Sequence, residues 1–480
     1  MRALTSIGIA FAALGTGVVA QTVQSPPSTP PPIQLSQFEQ LLNQIKNPVS
    51  WLTWGADLRV RNEYFDNALT LNPHNPLHLQ DYFRIRSRIW ASVTPWQDLS
   101  FNVRLANESR EWLKPAGYTT FVGHSGLDLR DGIFDNLNVQ WRNVLSQPAT
   151  VTVGRQDIFL GDGWLVGDGT PFDGSWTYFL DSARITYDFK EQHTSVDLIG
   201  IIQDARDNGW LETLNANQYL PESEQNEKGA ILWVANKSLK AANLDGYFMF
   251  KQANAANGIA AKFHPQNADL YTLGGRVTGQ PAPHWKYSVE GAYQFGDKQD
   301  PSILFPEVSD AFRNVSAFGA NTRATYLFND PLNNQIAVSY EFLSGDDPNS
   351  KTDESFDNLW GRWPRWSEIG LYSYAAETQI GNEANLHRFG PTWSLTPAKN
   401  LDFNASYFAL FADQTVATRG SSTLFTQTGN FRGHFLQAVL KYKFSKHLSA
   451  HIWGELEFPG DYYVYRQMWS FARAEVMLTF

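Results

Sequence analysis

The 480-residue sequence predicts an all-β fold: a transmembrane antiparallel β-barrel of about 18 strands. Three observations predict it. Apolar and polar residues alternate with a period of two in segment after segment from Trp51 to Phe480, the pattern of strands with one apolar and one wet face. The connections between those segments alternate between short and long. A barrel with tight turns at one mouth and long loops at the other requires that, whereas a soluble sandwich does not. Finally, the chain is 14% aromatic yet has a mean hydropathy of −0.35, as expected where lipid-facing and water-facing residues alternate between two aromatic girdles.

The segments before the barrel carry their own signals. Residues 1–20 read as an export signal: Arg2 supplies the positive start, Ala3 to Val19 an apolar run too short to span as a helix, and Val18-Val19-Ala20 a small-residue cleavage site. Residues 21–50 form a Pro-rich linker, Gln21 to Pro32, followed by a short amphipathic helix over Ile33 to Lys46 through Phe38, Leu41, Leu42 and Ile45. Residues 51–480 are the barrel.

Within it, Trp54, Ala56, Leu58 and Val60 alternate with Asp57, Arg59 and Arg61. Phe83, Ile85, Ile89 and Ala91 alternate with Arg84, Arg86 and Arg88, and Phe101, Val103 and Leu105 with Asn102 and Arg104. Candidate strands begin near 51, 81, 99, 131, 149, 177, 193, 229, 241, 268, 284, 315, 334, 383, 401, 432, 448 and 469. Short links fall at Pro95 to Asp98, Lys190 to Gln192, Asn329 to Asn333, Thr396 to Asn400 and Ser445 to His447. Long ones include Asp157 to Trp176, Ser344 to Asn382 and Ala412 to Phe431. In the last strand, Ala472, Ala474, Val476, Leu478 and Phe480 share an apolar face while Arg473, Glu475 and Met477 point the other way.

Several function classes are excluded or disfavoured. The absence of cysteine removes thiolate catalysis, thiolate metal sites and disulfides, and a net charge of −10 argues against a nucleic-acid binder. No GxSxG elbow supports a barrel hydrolase, and no HExxH spacing supports a metal centre. Gly161-Asp162-Gly163 and Gly167-Asp168-Gly169 lack calcium-loop spacing and read as turns. Asp346, Asp347, Asp353, Glu354 and Asp357 form an acidic cluster expected to be solvated. Trp360, Trp363 and Trp366, interleaved with Arg362 and Arg365, suit packing of the longest loop better than stacking on a sugar. No cofactor is implied.

The run Val153 to Gly163, VGRQDIFLGDG, resembles the strand-to-loop signature of the alginate export family. Asp173-Gly174 leading into Ala183-Arg184-Ile185, the strand Leu436 to Phe444, and the Phe458-Pro459-Gly460-Asp461 turn fit the same family. The resemblance covers most of Trp51 to Phe480. It implies a monomeric eighteen-stranded barrel in the outer membrane of a Gram-negative-type bacterium, letting an anionic polysaccharide cross through an arginine-rich lumen. His451, Ile452 and Trp453 depart from it, standing where the family is expected to carry lumen arginines. The terminal strand ending on Phe480 resembles the closing strand that outer-membrane barrels present to the barrel-assembly machinery.

The residues themselves point to the same lumen. Arg59, Arg61, Arg84, Arg86, Arg88 and Arg104 fall on the polar faces of three successive strands and are expected to line one side of the pore. Arg184 extends this column; Arg155 does so if a bulge or strand end turns it inward, since it has the parity of Val151 and Val153. Asp57, Glu63 and Glu108 on the same strands are expected to compensate part of that charge. The expected function is an anion-preferring channel for an acidic polysaccharide or organic acid; the alternatives are a general diffusion porin or an outer-membrane hydrolase.

Overall fold

Alternation along each strand becomes alternation between the two faces of a closed wall. The computed structural model describes residues 36–480 apart from 117–126, 130–131, 169–178, 205–210, 212–213, 215–225, 255–266, 300–311, 362–364, 379–381 and 419. The strands are β1 (Leu52–Asp66), β2 (Leu79–Trp96), β3 (Leu99–Lys114), β4 (Leu127–Leu129), β5 (Ile133–Arg142), β6 (Ala149–Gln156), β7 (Ile158–Phe159), β8 (Gly167–Asp168), β9 (Leu180–Phe189), β10 (Thr194–Gln203), β11 (Glu227–Asn236) and β12 (Asn243–Ala253). They continue with β13 (Ala268–Ala282), β14 (Trp285–Gln299), β15 (Phe312–Leu327), β16 (Gln335–Leu343), β17 (Leu386–Ala398), β18 (Leu401–Phe411), β19 (Phe431–Lys443), β20 (Leu448–Pro459) and β21 (Trp469–Thr479).

All but the short β4, β7 and β8 form the wall, pairing antiparallel in chain order. β21 returns to β1, with Asp57 to Asp66 against Thr479 to Ser470, so eighteen strands close the ring. Closure matters because backbone groups facing lipid find no water, and only a ring leaves no edge unpaired. In β21, Phe471 and Arg473 are buried, whereas Ala472, Ala474, Val476 and Leu478 are exposed on the outside. Exposed aromatics gather near both mouths: Trp51, Trp96, Trp141 and Trp285 by the short turns, Phe312, Phe411 and Phe458 by the long loops. The wall strands begin close to their expected positions.

The helix α1 covers Gln37–Lys46, starting later than the sequence pattern suggests because the Ser36 side chain accepts the Glu39 amide (3.2 Å) and caps it there. It sits at the short-turn mouth, where Glu39 pairs with Lys446 and His447 and the Trp54 indole donates to the Ile45 carbonyl (2.7 Å). The proposed leader, residues 1–20, the whole linker, residues 21–32, and residues 33–35 lie outside the described residues.

The ring is not hollow. Two long connections turn into it: the one after β6, folded by the β7–β8 pair, and the one after β16, which carries the helix α2 (Glu368–Thr378). Trp164, Leu165 and Val166 of the first and Phe356, Leu359 and Trp360 of the second join Ile199, Ile231, Trp233, Met249 and Ala317 of the wall in one apolar cluster. The loops also exchange backbone hydrogen bonds, Gly167 to the Trp360 carbonyl (3.1 Å) and Trp360 to that of Leu165 (2.9 Å). Trp360 is therefore a packing residue, whereas Arg362 and Trp363 lie outside the described residues. The N-terminus of α2 is held by Glu455 of β20, which accepts from the Glu368 and Ile369 amides (both 2.9 Å).

Candidate functional site

Inward-facing charge is concentrated on β21, β1, β2 and β3, and the register explains how the charges meet. Glu63 stands opposite Arg473 across the β1–β21 seam, Arg61 opposite Arg84 and Asp57 opposite Arg88 across β1–β2, and Arg86 opposite Glu108 across β2–β3. Glu63 bonds Arg61 (2.9 Å), Arg84 (3.0 Å) and Arg473. Glu108 receives Arg84 (3.1 Å) and lies 3.8 Å from Arg59, while Asp57 takes Arg88 (2.9 Å) and is 3.6 Å from Arg86. Glu475 adds contacts of 3.7 Å to both Arg59 and Arg61. Farther round, Arg104 binds Asp135 (2.7 Å) and Asp157 (2.8 Å), Arg155 binds Asp181 (2.9 Å) and Arg184 binds Asp197 (2.7 Å).

Each of the eight arginines singled out in the sequence thus meets a carboxylate, and they differ in how much water they keep. The Arg61 side chain is 1% exposed and that of Arg184 27%. Buried, doubly bonded pairs such as Arg84–Glu108 across β2 and β3 brace the wall, because separating them leaves a charge in a dry site. Arg104 (16% exposed) and Arg184 (27% exposed) are the less buried of the eight, although all three guanidinium nitrogens of Arg104 are engaged by Asp135 and Asp157. On β21, β1, β2 and β3, eight inward guanidinium groups (Arg59, Arg61, Arg84, Arg86, Arg88, Arg104, Arg110 and Arg473) stand with four inward carboxylates (Asp57, Glu63, Glu108 and Glu475).

Arg155 reaches the interior through its neighbour. Gly154 has φ +122°, a backbone state that L side chains rarely adopt, and it reverses the alternation so that Val153 faces out and Arg155 in. A Cβ at Gly154 would lie 2.3 Å from the Leu137 carbonyl oxygen.

Further inward cations lie on strands that contributed no sequence candidate: Arg276 on β13, Arg323 on β15, Lys251 on β12 and Arg388 on β17. Applied to β13 and β15, the same alternation marks Arg276 in phase with Thr272 and Arg323 with Asn321. What the sequence does not show is their partner, Asp162, at the tip of the inserted loop after β6. Its carboxylate accepts from Arg276 (2.7 Å), Ser288 (3.2 Å) and Arg323 (3.4 Å). Gly161 and Gly163 around it have φ +59° and +73°, so the motif is the expected turn and its acid meets arginines. Likewise, Asp346 of the acidic cluster meets Arg313 (2.9 Å), Asp353 meets Lys298 (3.1 Å) and Asp357 meets Lys251 (2.9 Å); these acids anchor the longest loop to the wall rather than standing solvated. Among the described residues no group of side chains is arranged to hold a metal ion.

Between α2 and β17, burial, and then the Glu341 carboxylate, push the Glu383 carboxyl up to about 8, and it accepts the Trp366 indole N–H (2.6 Å). Burial also raises the Tyr374 hydroxyl of α2 well above its usual range.

Comparison with known proteins places this arrangement. The family model described as alginate export matches residues 50–476. No curated protein matches. Among solved structures, Acinetobacter baumannii OccAB1 superposes with a TM-score of 0.54 at 11% identity, covering 89% of this chain and 96% of that one. Pseudomonas aeruginosa OccK8 (OprE) gives 0.51 at 12%, covering 89% and 98%. Pseudomonas aeruginosa OccK2 (OpdF) in complex with glucuronate gives 0.51 at 9%, covering 89% and 97%. At such identities the likeness is one of fold.

Proposed function

The chain belongs to the alginate export family and is an outer-membrane channel, and we propose that it passes an acidic polysaccharide or small organic acid along the arginine-bearing side of its lumen. The observation that carries this reading is the inward excess of guanidinium over carboxylate groups on β21, β1, β2 and β3, with Arg184 farther round the wall left 27% exposed. Guanidinium groups that solvent can reach offer repeated weak, charge-assisted contacts that a carboxylate can make and leave, the condition a conducting pore must meet. The glucuronate held by OccK2 is a sugar acid of the kind such a wall suits. In this reading residues 1–20 are a cleaved export signal, the short turns face the periplasm and the channel acts as a monomer.

The test is the reversal potential of the reconstituted channel in planar bilayers under a KCl gradient. Anion preference is expected, and R104Q with R184Q should weaken it. Charge reversal at Arg84, Arg86 and Arg88 is a poor probe, because each faces Glu63, Glu108 or Asp57 and a glutamate there would oppose a buried carboxylate. A wild-type pore that prefers cations leaves a general diffusion porin as the better reading.

A further inference from the structure

The Asp162 contact differs from the other arginine–carboxylate pairs of the lumen in how wet it is. The Asp162 side chain is 39% exposed and that of Arg323 37%. Both carboxylate oxygens are engaged: Oδ1 by Arg276 Nη1, and Oδ2 by Ser288 Oγ and Arg323 Nη2. Two guanidinium groups and a hydroxyl on three adjacent strands, β13, β14 and β15, thus grip one carboxylate that comes from a loop rooted between β6 and β9.

We propose that Arg276, Ser288 and Arg323 form a carboxylate-binding site in the lumen wall, which Asp162 fills in the absence of solute and from which an acidic solute displaces it. This deepens the reading given above and rests on it for the class of solute. Arg276 stays aimed at the site when Asp162 leaves, because its Nε is bonded to Asp245 of β12 (2.9 Å). The exchange is feasible because Asp162 is 39% exposed, its Arg323 contact is open to water at both ends, and a second carboxylate arrives at the more buried Arg276 (14% exposed) with equivalent bonding. The dry Glu63 hub offers no such exchange.

The loop tip that carries Asp162 is a tight turn on a stem whose Trp164, Leu165 and Val166 are packed in the apolar cluster. Gly161 and Gly163 carry the tip through a tight turn; a Cβ at Gly161 would press on the Trp233 ring at 3.1 Å, and one at Gly163 would occupy the place of the Arg365 guanidinium. Arg365, from the other inserted connection, donates to the Gly167 carbonyl (2.8 Å) and that of Asp162 (3.4 Å) and lies over the Phe159 ring. Arg365 thus ties the backbone of the Asp162 turn to the second inserted connection, while the Asp162 side chain is left to exchange.

The experiment measures current block by D-glucuronate, with uncharged D-glucose as control, on the full chain in planar bilayers. If Asp162 occupies the site most of the time, D162N loosens its hold by removing the charge and one acceptor oxygen, D162S empties the site, and the half-blocking glucuronate concentration falls about fivefold or more while glucose is unaffected. Adding R276Q or R323Q to D162N should abolish that gain. D162S serves as a second variant, and heat-modifiable migration in gels verifies that each is folded. A folded D162N or D162S channel with the wild-type half-blocking concentration overturns the proposal, whatever the ion preference of the pore. Conversely, a cation-preferring wild type whose D162N variant binds glucuronate more tightly supports the site while sinking the transport reading.

Discussion

Replacing Glu63 with alanine removes the carboxylate shared by Arg61, Arg84 and Arg473 at the seam between the first and last strands. Glu63 is fully buried, so water does not replace it. Breaking a buried pair costs about 3–5 kcal/mol, because the remaining charge stays in a dry site. Each arginine keeps a second carboxylate, namely Glu475, Glu108 and Glu368 respectively, which sets the expectation at the lower end, about 3 kcal/mol. An unfolding entropy of about 2.1 cal/mol/K per residue over roughly 430 barrel residues gives ~0.9 kcal/mol/K, and hence a fall of about 3 °C in the unfolding midpoint. The assay is a circular-dichroism melt in detergent, paralleled by heat-modifiable migration. E63Q should fall between, since its amide oxygen still accepts one guanidinium N–H. K446A is the control: that pair lies at the mouth with the lysine half exposed, so a change under about 1 kcal/mol is expected. An E63A midpoint within about 1 °C of wild type would refute the view that opposite charge secures the seam.

Three further outcomes are expected. G154A should destabilise the barrel by about 2 kcal/mol or more and impair assembly, because alanine is strained at φ +122° and its Cβ meets the Leu137 carbonyl; an unchanged melt would count against that strain. Glu383, held protonated in the folded state up to about pH 8 while an unfolded glutamate ionises near 4.3, makes stability fall as pH rises through that window, by up to ~1.4 kcal/mol per pH unit; E383Q should flatten melts taken from pH 5 to 8, and an equal slope in both proteins would contradict it. Deleting Phe480, whose ring lies 5.0 Å from that of Trp54 and whose amide bonds the Ala56 carbonyl (2.8 Å), should lower the amount of barrel in the membrane fraction, whereas normal levels would show the terminal aromatic to be incidental.

The wall was legible in the sequence because its cause is local. A period of two at Leu58 and Val60 against Arg59 and Arg61 depends on nothing beyond the strand itself, and a side chain there has only lipid or lumen to face. The contents of the ring were not legible, because they depend on pairings distant in sequence: nothing near Asp162 announces Arg276, and nothing near Trp360 announces the pocket beside Gly229. Arg155 falls between these cases. Its type and strand could be read, but its direction hinged on the backbone state of Gly154, which sequence parity alone does not fix.

The pairing of Glu63 with Arg473 joins residues 410 positions apart, and it lies across the junction that closes the ring. Every other wall junction joins neighbours along the chain and can zip from a hairpin, with a small loss of freedom per step. The seam has no such head start, so its charged hub is a lock engaged only once all the intervening strands stand in register. A strand slipped by one residue would turn Arg473 toward hydrocarbon and Ala472 toward Glu63. Charge complementarity at the seam is thus met only when the count and alignment of the whole wall are right.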